Sequence, residues 1–73
     1  MSYESAVIEA KALLGDQKAL KGSTAVCIFR TDFKDSARPD QYFAVRASRA
    51  DALKGEGFIE VATIDLHGNV TKL

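Results

Sequence analysis

The apolar positions of this chain change period several times, and each change marks an element. Tyr3, Val7, Ala10 and Leu14 recur at i, i+4, i+7 and i+11, Ala6 and Leu13 widen the stripe, and Glu4, Ser5, Glu9 and Lys11 take the other side. That spacing predicts an amphipathic helix over residues 3–14. Ser2 stands at the N-cap position, Glu4 in the first turn complements the helix dipole, and Gly15 suits the residue after the helix. Asp16 is then placed to cap a second short turn, Gln17 to Lys21, closed by Gly22.

From residue 24 the period changes to two. TAVCIFRTDF (residues 24–33) is rich in β-branched and aromatic residues and predicts a first strand, with Ala25, Cys27, Phe29 and Phe33 on one face and Val26, Ile28 and Arg30 on the other. A polar loop over residues 34–40, containing Pro39, leads to a second strand over 41–47. Its length suits an antiparallel hairpin. Ser48 and Asp51 have the spacing of a capping box and predict a short helix ended by Gly55. Residues 58–66 predict a third strand, with Phe58, Ala62, Ile64 and Leu66 on one face and Ile59, Val61 and Thr63 on the other. His67-Gly68-Asn69 is a turn signal, after which residues 70–73 form a short last strand.

The order helix, strand, strand, short helix, strand, strand predicts an α+β fold, an antiparallel sheet of three or four strands packed on one main N-terminal helix. The expected core is Val7, Ala10, Leu14, Cys27, Phe29, Phe43, Val45, Phe58, Ile64 and Leu66. This places the long helix on the phenylalanine face. The opposite face then presents Val26, Ile28, Arg30, Tyr42, Ala44, Arg46, Ile59 and Val61 to solvent. The segments KALKG (18–22) and DALKG (51–55) share ALKG and read as two helix ends, with Lys near the negative pole and Gly leaving the helix.

Length and charge narrow the function. Seventy-three residues make one domain, residues 1–73, read as a complete protein. Ten basic residues balance ten acidic ones, so the basic excess of a typical nucleic-acid binder is missing. A single cysteine allows no internal disulfide. No signal segment or membrane-length apolar run is present, which points to the cytoplasm and away from a membrane.

The sequence contains no recognisable catalytic constellation. Cys27 alternates onto an apolar strand face, whereas His67 sits in a turn, so a nucleophilic pair is not expected. The ligand set of a zinc site is absent. Asp32, Asp35 and Asp40 bracket the 34–40 loop, but Lys34 and Arg38 interleave them, which reads as a solvated turn. Glu56, Glu60 and Asp65 carry no mark of an acid–base pair, and Gly55-Glu56-Gly57 precedes a strand where a nucleotide loop needs a helix. No cofactor is implied.

The expectation is therefore a non-enzymatic binding protein that inhibits or modulates a larger protein partner, as small phage-encoded inhibitors of host machinery do. Its contact residues would be Arg30, Tyr42, Arg46 and Arg49 on the outer sheet face, since Tyr and Arg are enriched among interface hot spots. Two further readings use the same residues: a nucleic-acid platform, and a homodimer without separate activity.

Overall fold

The computed structural model describes residues 2–31 and 41–73. The expected 34–40 loop, with Asp32, Phe33, Asp35, Pro39 and Asp40, lies outside them. Helix α1 spans Tyr3–Leu14, and Ser2 caps it by accepting the Ser5 amide at 3.1 Å. A single turn, α2 (Gln17–Leu20), follows, capped by Asp16, whose carboxylate accepts the Lys18 and Ala19 amides. Strand β1 (Ala25–Arg30) and strand β2 (Tyr42–Arg46) pair antiparallel, with Val26 opposite Arg46 and Arg30 opposite Tyr42. A 3₁₀ turn (Ala47–Arg49) runs into helix α3 (Ala50–Gly55), and strands β3 (Ile59–Asp65) and β4 (Val70–Lys72) complete an antiparallel sheet of order β2-β1-β3-β4. The α+β class and the helix–sheet order are as the periodicity predicts.

The main correction concerns which face α1 takes. It packs on Val26, Ile28, Ala44, Ala62 and Ile64, the face expected to be open, and not on the phenylalanines. Residue size explains the choice. Ala6 and Ala10 are both fully buried and let the helix axis approach the small, β-branched face closely. Leu20 of α2 closes the same cluster. On the opposite face Cys27 and Phe29 pack with Ala50 and Leu53 of α3. That helix is only six residues long, so the aromatic rings complete the cover themselves. Phe43 stacks on Phe29 at 6.1 Å and meets Phe58 edge-on at 5.3 Å.

The second correction lies in β3. Ile28 pairs with Ala62, whereas its neighbour Phe29 pairs with Glu60. Val61 is the extra residue of a β-bulge, and a bulge breaks strict alternation. Ala62 and Ile64 therefore join the α1 face, opposite Phe58, while Glu60 and Thr63 share the phenylalanine side with Cys27. Leu66, an expected core residue, lies past the end of β3 and is exposed.

Ser48 does not cap α3. Its hydroxyl bonds Ser23 Oγ at 2.9 Å and accepts Arg46 Nε at 3.0 Å, and its amide donates to Ser23 Oγ at 3.2 Å. This staples the turn before β1 to the turn after β2. Asp65 closes the β3–β4 hairpin, accepting the amides of His67 at 2.9 Å and Asn69 at 3.0 Å. No helix among the described residues is long and apolar enough to cross a membrane.

Candidate interaction site at the β2 edge

The four expected contact residues separate into two groups. Arg30 and Tyr42 pair at one end of the β1–β2 ladder, and Arg46 lies at the other. Four residues of strand put Tyr42 and Arg46 about 14 Å apart. Tyr42 is half-buried and packs edge-on against Tyr3 of α1, with ring centroids 5.7 Å apart. It belongs to the margin of the α1 core rather than to an open platform. Arg30 is also half-buried.

Arg46 and Arg49 do come together, and a third cation joins them. A depression of about 310 Å³ wraps the outer edge of β2 and is lined by Leu13, Ala19, Lys21, Ala44, Val45, Arg46 and Arg49. The strand supplies Arg46, and the 3₁₀ turn that follows it supplies Arg49. Lys21 arrives from the end of α2, where its backbone is left-handed at φ 49°. A non-glycine residue in that region is uncommon and is held there by its surroundings. Lys21 is the C-cap of α2: its amide donates to Gln17 O at 3.2 Å and the Ser23 amide to Leu20 O at 3.0 Å, the backbone bonds that end a helix on a left-handed residue. The Ser23–Ser48 bonds tie the segment after it to the turn carrying Arg49.

The charge balance of this depression is one-sided. Among the described residues Lys21, Arg46 and Arg49 form no ion pair, and no carboxylate lines the depression. The Arg46 guanidinium is oriented by Ser48, which occupies its Nε and leaves the terminal nitrogens for another acceptor. The floor is apolar, made of Leu13, Ala19, Ala44 and Val45. Among the described residues β2 is a terminal strand of the sheet, and no strand pairs with its outer side. Three cations, an apolar floor and a strand edge suit an acidic peptide segment that carries an apolar side chain.

The acid, thiol and imidazole groups lie elsewhere. Cys27 is buried and shares the α3 side with Glu60 and Thr63. Burial pushes its thiol up to about 11, and hydrogen bonding to the Glu60 carboxylate acts in the same direction. Such a thiol stays protonated at neutral pH and is a poor nucleophile. Burial alone would raise Glu60, but hydrogen bonds from Lys54, Cys27 and Thr63 outweigh it and hold the carboxyl below its ordinary value. Lys54 Nζ lies 2.8 Å from Glu60 Oε2, and Thr63 Oγ1 donates to Glu60 Oε1 at 3.1 Å. This group is an internal polar tie across the bulge. His67 is exposed in the β3–β4 turn. No group of three potential metal ligands occurs among the described residues.

Arg46 and Arg49 are thus legible from the sequence as members of one site, and Lys21 is not. Twenty-five residues separate Lys21 from Arg46, and only the fold joins them. A positive residue at a helix end reads first as a dipole partner. No protein-family model matches the chain, and neither curated proteins nor solved structures give a match.

Proposed function

We propose that this protein is a non-enzymatic binding module that modulates a larger protein partner by holding an acidic segment of it at the β2 edge. The convergence of Lys21, Arg46 and Arg49 around an apolar-floored depression, without a carboxylate among its lining residues, carries this reading. The arginines present planar forks that match carboxylates, and Lys21 adds a point charge. The apolar floor favours a peptide over a bare polyanion. Relative to the sequence expectation, the contact set changes from Arg30, Tyr42, Arg46 and Arg49 to Lys21, Arg46 and Arg49. The nucleic-acid reading is weaker, because single-stranded nucleic acid is held by stacking on open aromatic rings, and Tyr42 is packed against Tyr3.

The test is affinity capture from lysate of the source cell, run in parallel with the wild-type chain and a Lys21→Ala/Arg46→Ala/Arg49→Ala variant. A protein retained stoichiometrically by the wild type, released by salt and lost from the variant by at least ~30-fold is the expected result. The same retained proteins on both baits would exclude this edge as the contact. Nucleic acid retained in place of protein would favour the alternative.

A further inference from the structure

We propose that the groove between α1 and β4, at the opposite edge of the sheet, is filled by a second copy of this chain in a two-fold dimer. The vacancy follows from dimensions. Four strands at about 4.8 Å spacing make a sheet about 19 Å wide, which takes two helices of about 10 Å to cover. Helix α1 lies over β2 and β1 and only touches β3. Val70 and Lys72 pair with Ile64 and Ala62, so they face the α1 side, but no helix of the described residues lies over them. The result is a groove of about 390 Å³, with Tyr3, Glu4, Val7 and Ile8 on its helix wall and Val70 and Lys72 on its strand wall.

Two observations select a second copy as the occupant. The first is shape. Ile8 lies two residues from both Ala6 and Ala10, a rotation of about 200° from each. It therefore turns away from its own sheet and is 70% exposed. Val70 is 41% exposed in the same groove, and Leu73, 74% exposed, lies in an adjoining depression that shares Tyr3 and Lys72. An apolar knob and an apolar groove thus stand side by side on one surface. A two-fold axis requires this arrangement, because the same patch must serve both partners. The second observation is charge. The helix wall carries Glu4 and the strand wall carries Lys72, whose ammonium sits 5.6 Å from the centre of the Tyr3 ring. In an isologous contact each copy's Glu4 faces the other's Lys72, so both pairs are opposite in sign. The zero formal net charge of the chain removes long-range repulsion between copies.

This inference is independent of the β2 edge. Sedimentation equilibrium of the full chain, from micromolar to about 1 mM, should show a monomer–dimer transition. Ile8→Lys, at an exposed position, should keep the native circular dichroism spectrum and weaken dimerisation by at least ~30-fold. The sharper test uses Glu4→Lys and Lys72→Glu as separate proteins. Alone, each places like charges across the interface twice and dimerises more weakly than wild type. Mixed, they restore both opposite-charge pairs and should form a one-to-one heterodimer. A wild type that stays monomeric to about 1 mM, a dimer indifferent to Ile8→Lys, or a mixture that associates no better than its components would each overturn the proposal. None of these results bears on binding by Lys21, Arg46 and Arg49.

Discussion

Removing one oxygen atom should make this protein more stable. The Tyr3 hydroxyl is buried and has no hydrogen-bond partner among the described residues. Leaving such a group unsatisfied costs about 1–3 kcal/mol relative to hydrated phenol. Tyr3→Phe removes the orphan and keeps the ring, with its edge-on contact to Tyr42 at 5.7 Å and the Lys72 ammonium 5.6 Å from its centroid. Against the gain stands the space left by the oxygen. A void of about 15 Å³ at about 24 cal/mol per Å³ costs ~0.4 kcal/mol. The net expectation is a stabilisation of about 1 kcal/mol, which raises the melting temperature of a domain this size by about 4–8 °C. Urea and thermal denaturation of both proteins measure it, and an unchanged m-value shows that the unfolded state is not responsible. Tyr42→Phe is the control: Tyr42 has no buried orphan oxygen and should change stability by less than ~0.5 kcal/mol. A Tyr3→Phe protein less stable than wild type by ~0.5 kcal/mol or more would refute the reasoning, because it would mean that the hydroxyl has a partner in the native state.

Two further predictions concern backbone and charge. Gly22 has φ +87° with nothing within 4 Å of an added Cβ, so Gly22→Ala should cost ~1–2 kcal/mol from left-handed strain alone. Gly15 has φ −83° and an added Cβ meets Ala12 O at an ordinary 3.5 Å, so Gly15→Ala should stabilise by ~0.5–1 kcal/mol. Equal signs for the two substitutions in chemical denaturation would defeat the argument. The Glu60 carboxyl is held below its ordinary value in the folded state, with burial outweighed by hydrogen bonds from Lys54, Cys27 and Thr63. Its contribution is therefore present above the unfolded-state value of about 4.3 and is lost as pH falls through the folded one. The urea midpoint should drop between pH 6 and pH 3, and Glu60→Gln should flatten part of that drop. Asp65, lowered chiefly by the Asn69 amide, keeps the rest. An identical drop in the Gln variant would show that Glu60 is not linked.

The elements were legible because each rests on local chemistry. The stripe from Tyr3 to Leu14, the Ser2 and Asp16 caps and the His67-Gly68-Asn69 turn carry their own geometry, and α1 runs over the predicted residues 3–14. The faces were not legible, because β1 and β2 are apolar on both sides and a period of two does not say which side a helix will choose. That choice depends on the match between Ala6 and Ala10 and the small residues opposite them. The bulge at Val61 carries no glycine to announce it, yet it moves Ala62 and Ile64 across the sheet. Ser48 and Asp51 have the capping spacing, but Ser23, twenty-five residues earlier in the chain, claims the hydroxyl. The candidate site follows the same division. Arg46 and Arg49 are neighbours along the chain and were found together, whereas Lys21 reaches them only through a tertiary staple.

The residues proposed for binding lie at the edges of the sheet and not on its face. With α1 on one side and α3 with three phenylalanines on the other, both faces of β1 are closed, and Val26, Ile28 and Phe29 are fully buried. Helix α1 lies over β2 and β1 and only touches β3, so it covers one half of the four-stranded sheet. The helix side chains there, with Leu13 among them, floor the basic depression, while the β4 flank is left without a helix. The two edges therefore differ in kind. The β2 edge is backed by packed structure and carries cations without an ion-pair partner among the described residues, the features on which the proposed binding of a charged segment rests. The β4 edge is exposed, apolar and bordered by one charge of each sign, the features on which the proposed self-association rests. The off-centre placement of α1 accounts for the uncovered β4 flank, whereas the cations of the β2 edge are set by the end of α2, by β2 itself and by the 3₁₀ turn.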